Sequence, residues 1–102
     1  MRIFLFLCIA AVAAAAIAPG AQAQDSAPGR SLAATCANCH GTEGRSVTKE
    51  VVSLASLPKA QIVSQMKAFK DGTRPATIMH QLAKGYTDQQ IELLAEYFAA
   101  KK

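Results

Sequence analysis

Tryptophan is absent from the 102 residues, cysteine occurs three times and proline four times, and no block of like charges interrupts the chain. Each scarcity removes a class of protein. No apolar run reaches the roughly 20 residues needed to cross the hydrocarbon core of a bilayer. The longest, Ile3 to Ala18, has sixteen and is closed by Pro19-Gly20. The formal charge of +4 is small and dispersed, so nucleic acid is not a suggested partner. Cys8 lies inside that apolar run, which leaves Cys36 and Cys39, enough for one disulfide at most.

What is present at the N-terminus is ordered like an export signal. Basic Met1-Arg2 precedes the apolar run, and Ala21-Gln22-Ala23 supplies an Ala-x-Ala cleavage site. Residues 1–23 are expected to be a cleaved secretory signal peptide that sends the protein to the periplasm and takes Cys8 with it. The remainder, residues 24–102, is a single 79-residue domain with no membrane span. At that size an ordinary apolar core is marginal, and such chains commonly add a disulfide, a metal or a large cofactor.

The domain reads as all-α. Gln24 to Arg30 is expected to be a flexible lead-in, because Pro28 and Gly29 discourage regular structure. Ser31 to Asn38 then predicts a short helix, and Gly41 to Leu57 reads as irregular. In the second helix Pro58 takes the first helical position, Ile62, Met66 and Phe69 recur at i, i+4 and i+7, and Gly72 stops it. Ile78 to Lys84 predicts a short helix closed by Gly85. The last helix has Thr87 as N-cap, Gln90 completing a capping box, and Ile91, Leu94, Ala95 and Phe98 on one face. Three to four helices of this size must surround something larger than their own side chains.

The stretch Cys36-Ala37-Asn38-Cys39-His40 states what that is. Cys-x-x-Cys-His is the attachment signature of a c-type haem. Two thiols three residues apart lie on one side of a helical turn, where each can form a thioether to one vinyl group while the adjacent imidazole reaches the iron. The competing readings fit the chain less well. A thioredoxin-like pair wants strands that the pattern does not offer. Zinc needs four ligands, and beyond Cys36, Cys39 and His40 only His80 remains, without paired spacing. A disulfide across two intervening residues closes too small a loop to stabilise much and leaves His40 unexplained.

Iron held by His40 has a second face, and the candidates for it are Met66, Met79 and His80. Met66 belongs to the apolar stripe of its helix and is read as core. Met79 lies in the stretch after Pro75, far enough along the chain to return on the opposite side of a haem, and is the expected sixth ligand. His80 is then expected to face solvent. The alternative to an electron carrier is a peroxidase or gas-binding sensor with an open distal site, for which His80 would be the only acid-base group in the sequence available there.

The residues CANCHGTEG, QIVSQMKAFKDGTRP and TIMHQLAKGYTDQQIELLAEYFA resemble a small bacterial class I cytochrome c. Within that family they are most similar to the haem domain of the cytochrome subunit of flavocytochrome c sulfide dehydrogenases, over roughly Ser31 to Ala100. The resemblance implies an all-α class I cytochrome c fold around one covalent haem c, its first and last helices crossing with Leu32 near Leu94 and Tyr97. It places the sulfur ligand at Met79 and implies that the chain accepts electrons from a flavoprotein partner that oxidises sulfide. It also implies that the carbonyl before Ser53-Leu54 orients His40. Relatives carry proline at that position, whereas this chain has Val52, which keeps the carbonyl and loses the proline's stiffness.

Without the leader, ten Lys and Arg face seven Asp and Glu, and two haem propionates would bring the balance to about +1. Lys49, Lys59, Lys67, Lys70, Arg74 and Lys84 flank the segments expected to border the haem. They form a candidate basic rim for acidic redox partners, with Arg74 a candidate propionate neighbour.

Overall fold

A computed structural model describes residues 26–102; the expected leader, with Cys8 and its cleavage site, lies outside the described residues. Helices α1 (Ala27–Ala33), α2 (Ala37–His40), α3 (Lys59–Asp71), α4 (Met79–Ala83) and α5 (Asp88–Ala99) follow in order, with 3₁₀ turns at Ala34–Cys36 and Thr42–Gly44. No strand occurs among the described residues. Helix α5 is the hub: α1 and α3 both pack on it, and α4 packs on α3.

The first helix begins earlier than the sequence pattern indicates. Ser26 caps it, accepting a hydrogen bond from the Gly29 amide at 3.2 Å, and Pro28 sits in its first turn. There proline is harmless, because first-turn amides have no intrahelical acceptor. Gly29 is buried rather than loose. A Cβ at that position would stand 2.8 Å from the Leu93 carbonyl oxygen and 3.4 Å from Tyr97 Cβ, so the missing side chain is what lets α1 cross α5 closely. The two residues read as breakers are a helix start and a helix crossing.

The core is formed by Ala33 of α1, Ile62 and Met66 of α3, Ala83 of α4, and Ile91, Leu94, Ala95, Tyr97 and Phe98 of α5. Phe98, Ile91 and Leu94 are its largest fully buried side chains. Each contributes about 2–3 kcal/mol by leaving water. The Tyr97 and Phe98 rings meet edge to face, centroids 5.2 Å apart. Leu32 packs against this cluster, as expected of the crossing helices, and Met66 is core.

Helix ends largely follow their sequence signals. Thr87 and Gln90 form a reciprocal capping box, with the Gln90 amide on Thr87 Oγ1 at 3.1 Å and the Thr87 amide on Gln90 Oε1 at 2.9 Å. Thr87→Ala is expected to cost about 1 kcal/mol, read as a lowered thermal midpoint. Gly72 ends α3 in the left-handed conformation at φ 79°. Pro58, however, is the N-cap of α3 and not its first helical residue, since its ψ of 135° is extended.

Candidate haem-attachment site

The 3₁₀ turn Ala34–Cys36 runs directly into α2, so Cys36 and Cys39 project from one helical turn on neighbouring sides. Cys39 is exposed and Cys36 half-buried, and they are not joined to each other. Burial pushes the Cys36 thiol above its ordinary pKa. That is opposite to the activated thiolate of a dithiol redox pair. Behind the motif Tyr86 holds the turn: its hydroxyl lies 3.0 Å from Thr35 Oγ1 and 3.3 Å from the Leu32 carbonyl. This support went unseen in the sequence, where Tyr86 registers only as part of the AKGYTD resemblance.

His40 ends α2 and Gly41 turns the chain away at φ 84°, ψ 163°. A Cβ on Gly41 would overlap the Arg45 carbonyl oxygen at 1.8 Å, so only glycine permits the loop to fold back this tightly. The returning loop brings the Val52 carbonyl to 2.7 Å from His40 Nδ1. A carbonyl can only accept, so Nδ1 carries the proton, and in the neutral imidazole this leaves Nε2 with its lone pair. Valine thus supplies the acceptor in place of proline.

Met79, the other candidate ligand, is the first residue of α4, half-buried against the core. His80 departs from the expectation of a solvent-facing residue. It is half-buried, and its Nδ1 is buried without a hydrogen-bond partner among the described residues. The reason is packing: α4 is a single short helix laid on α3, and the position one step round from Met79 is also turned inward.

Half of the expected basic rim is engaged within the chain. Lys59 lies 3.3 Å from Glu92 and 3.6 Å from Glu96, and Lys70 lies 3.1 Å from Asp88. The Arg74 guanidinium stacks 4.7 Å over the Phe69 ring. Such exposed pairs stabilise little, typically below about 1 kcal/mol, but they reduce the field that a partner meets. Lys49, Lys67 and Lys84 make no ion pair among the described residues.

A helical chain with this motif and a histidine whose Nδ1 is held by a backbone carbonyl has the design of a small haem protein. The family model for cytochrome c matches residues 26–100, and the chain belongs to the cytochrome c family. It is 41% identical to the cytochrome subunit of sulfide dehydrogenase of Chlorobaculum tepidum over 70 residues, 69% of this chain and 63% of that protein. It is 36% identical to cytochrome c4 of Pseudomonas aeruginosa, covering 78% of this chain and 40% of the relative. It is 31% identical to cytochrome c-554(548) of Halomonas halodenitrificans across all of that protein and 78% of this chain. The chain therefore spans less than two thirds of the first two relatives. Membership defines the class, a c-type cytochrome, and implies covalently held haem c.

The residues present fit that group. The thiols stand at the attachment spacing, His40 has one free nitrogen, and apolar side chains are left largely in the open beside both candidate ligands. Val52, which holds His40, is 57% exposed, and Ile78, which precedes Met79, is 54% exposed. No helix among the described residues is long and apolar enough to cross a membrane.

Proposed function

We propose that the chain is a periplasmic monohaem cytochrome c that passes single electrons between redox proteins. The observation that carries this reading is the 2.7 Å bond from His40 Nδ1 to the Val52 carbonyl, which readies Nε2 for iron. Cys36 and Cys39 would hold the haem by thioethers, His40 and Met79 would ligate its iron, and the leader at 1–23 would direct export. When bound, the haem supplies a one-electron ferric/ferrous couple. The chain's own residues hold it, orient its ligands and keep water from the iron, and Met79 raises the potential because a thioether favours the ferrous state.

The electron donor in this proposal is a flavoprotein that oxidises sulfide, supported by similarity to a sulfide dehydrogenase cytochrome subunit. Co-purification with a flavin-containing chain tests that arm, and recovery of the cytochrome alone from cells making both chains would remove it. Haem attachment is tested by thiol titration of the denatured, exported protein. No titratable thiol is the expected result, whereas two would return the chain to the dithiol reading. The buried, unpartnered Nδ1 of His80 favours a second arrangement, with His80 in place of Met79 at the iron. A bis-histidine iron lacks the sulfur band in its ferric spectrum and has a lower potential.

A further inference from the structure

The hydrogen bond that orients His40 ends on an exposed residue. Val52 is neither in the helical core nor packed against it, so the core does not hold its carbonyl where the imidazole needs it. The placement has to come from the rest of the loop between residues 43 and 56. At its base the Leu54 and Ala55 amides both donate to the Gly44 carbonyl, at 2.8 and 3.1 Å, and the Ser46 amide donates to Ser53 Oγ at 2.9 Å. These bonds close the loop on itself but do not tell it where to stand.

Its position is set from the far end of the chain. The Ser56 amide donates to the Phe98 carbonyl at 3.2 Å, and Ser56 Oγ donates to the Lys101 carbonyl. Arg45 reaches across to the Lys102 carbonyl with one nitrogen and to Glu43 at 2.6 Å with another. Lys101 Nζ lies 3.6 Å from the same Glu43 and 4.3 Å from the centre of the Tyr97 ring. Between them Gly44 abuts the Phe98 ring, where a Cβ would meet Cδ1 at 2.7 Å. Both non-glycine residues with positive φ among the described residues, Glu43 at 55° and Ser56 at 64°, stand at the two ends of the loop. Such backbone persists only where its surroundings over-determine it, and here the surroundings are the end of α5 and residues 101–102.

We propose that Arg45, Ser56 and Lys101 form a clasp between the end of α5 and the 43–56 loop, positioning the Val52 carbonyl on His40 and thereby tuning the iron's reduction potential. These are positioning residues, acting through a carbonyl that none of them touches. The inference rests on the proposed haem ligation by His40. Its direction follows from the chemistry of the bond: donation from Nδ1–H makes the imidazole a stronger base toward iron and favours the ferric state, so a loosened clasp raises the potential.

The test compares haem-loaded Arg45→Ala/Ser56→Gly with wild type and with Thr87→Ala. Ser56→Gly removes the hydroxyl while suiting the positive φ, and Thr87→Ala weakens α5 at its other end. The readouts are the midpoint potential and the exchange rate of the His40 Nδ1 proton in the ferrous protein by NMR. A raised potential and at least tenfold faster exchange are expected in the double variant alone. Readouts no different from those of Thr87→Ala, or a lowered potential, would overturn the proposal. If the double variant does not accumulate, Lys101→Ala is measured in the same way, with a smaller shift of the same sign expected and an unmoved potential counting against the clasp. Absence of covalent haem from the wild type would instead defeat the ligation on which the inference stands.

Discussion

Replacing Met79 with alanine is expected to abolish the weak red band of sulfur on ferric iron and to lower the reduction potential by about 0.2 V, a quarter of the ~0.8 V that axial ligands span. Thioether sulfur is a poor donor to ferric iron and a good partner for ferrous iron, so its loss destabilises the reduced state. Met79 is suited to this by its place at the start of α4, half-buried beside a packed core rather than inside it. Met66→Ala serves as the contrast. Met66 is 7% exposed within the core of α3, and its truncation should cost about 2–5 kcal/mol of stability while leaving the sulfur band intact. An unchanged spectrum in Met79→Ala would exclude Met79 as a ligand.

Gly41→Ala is expected to be the most damaging single change for folding. The residue sits at φ 84°, ψ 163°, a region essentially reserved for glycine. A Cβ would stand 1.8 Å from the Arg45 carbonyl oxygen and 2.6 Å from its carbon, backbone atoms that cannot swing aside. Strain and overlap together should cost about 4 kcal/mol, a large part of the 5–15 kcal/mol that a domain has. The same overlap would displace the loop that brings Val52 to His40. The yield of haem-loaded protein should collapse. Gly72→Ala makes the comparison specific, because Gly72 also has positive φ, 79°, but nothing lies within 4 Å of the added carbon. That variant should lose about 1 kcal/mol and load haem normally. Equal damage from the two would contradict the assigned role of the Gly41 overlap.

Local chemistry was legible in the sequence where it is carried by neighbours in the chain. The capping box of Thr87 and Gln90, the core position of Met66 and the stop at Gly72 all rest on spacings of a few residues, and the structure contains each of them. The orientation of His40 through Val52 was legible only through family resemblance, since a carbonyl twelve residues away leaves no periodic mark. Gly29 was misread for a related reason. Its composition signals flexibility, and only the approach of α5 makes its lack of a side chain a packing requirement. His80 was misplaced because a five-residue helix has too few turns to display which of its sides is inward. The bonds of Arg45 and Ser56 to residues 101–102 span 57 and 45 positions, and side chain to backbone contacts at such distances follow no sequence pattern.

The central claim, a closed six-coordinate iron held by His40 and Met79 in an electron carrier, is tested most directly by the visible spectrum of the purified exported protein, oxidised and then reduced, with and without carbon monoxide. Sharp low-spin c-type bands, a weak red band in the ferric protein and indifference to carbon monoxide are the predicted result. High-spin bands or ready binding of carbon monoxide would contradict it, revealing an open iron and the chemistry of a sensor or peroxidase.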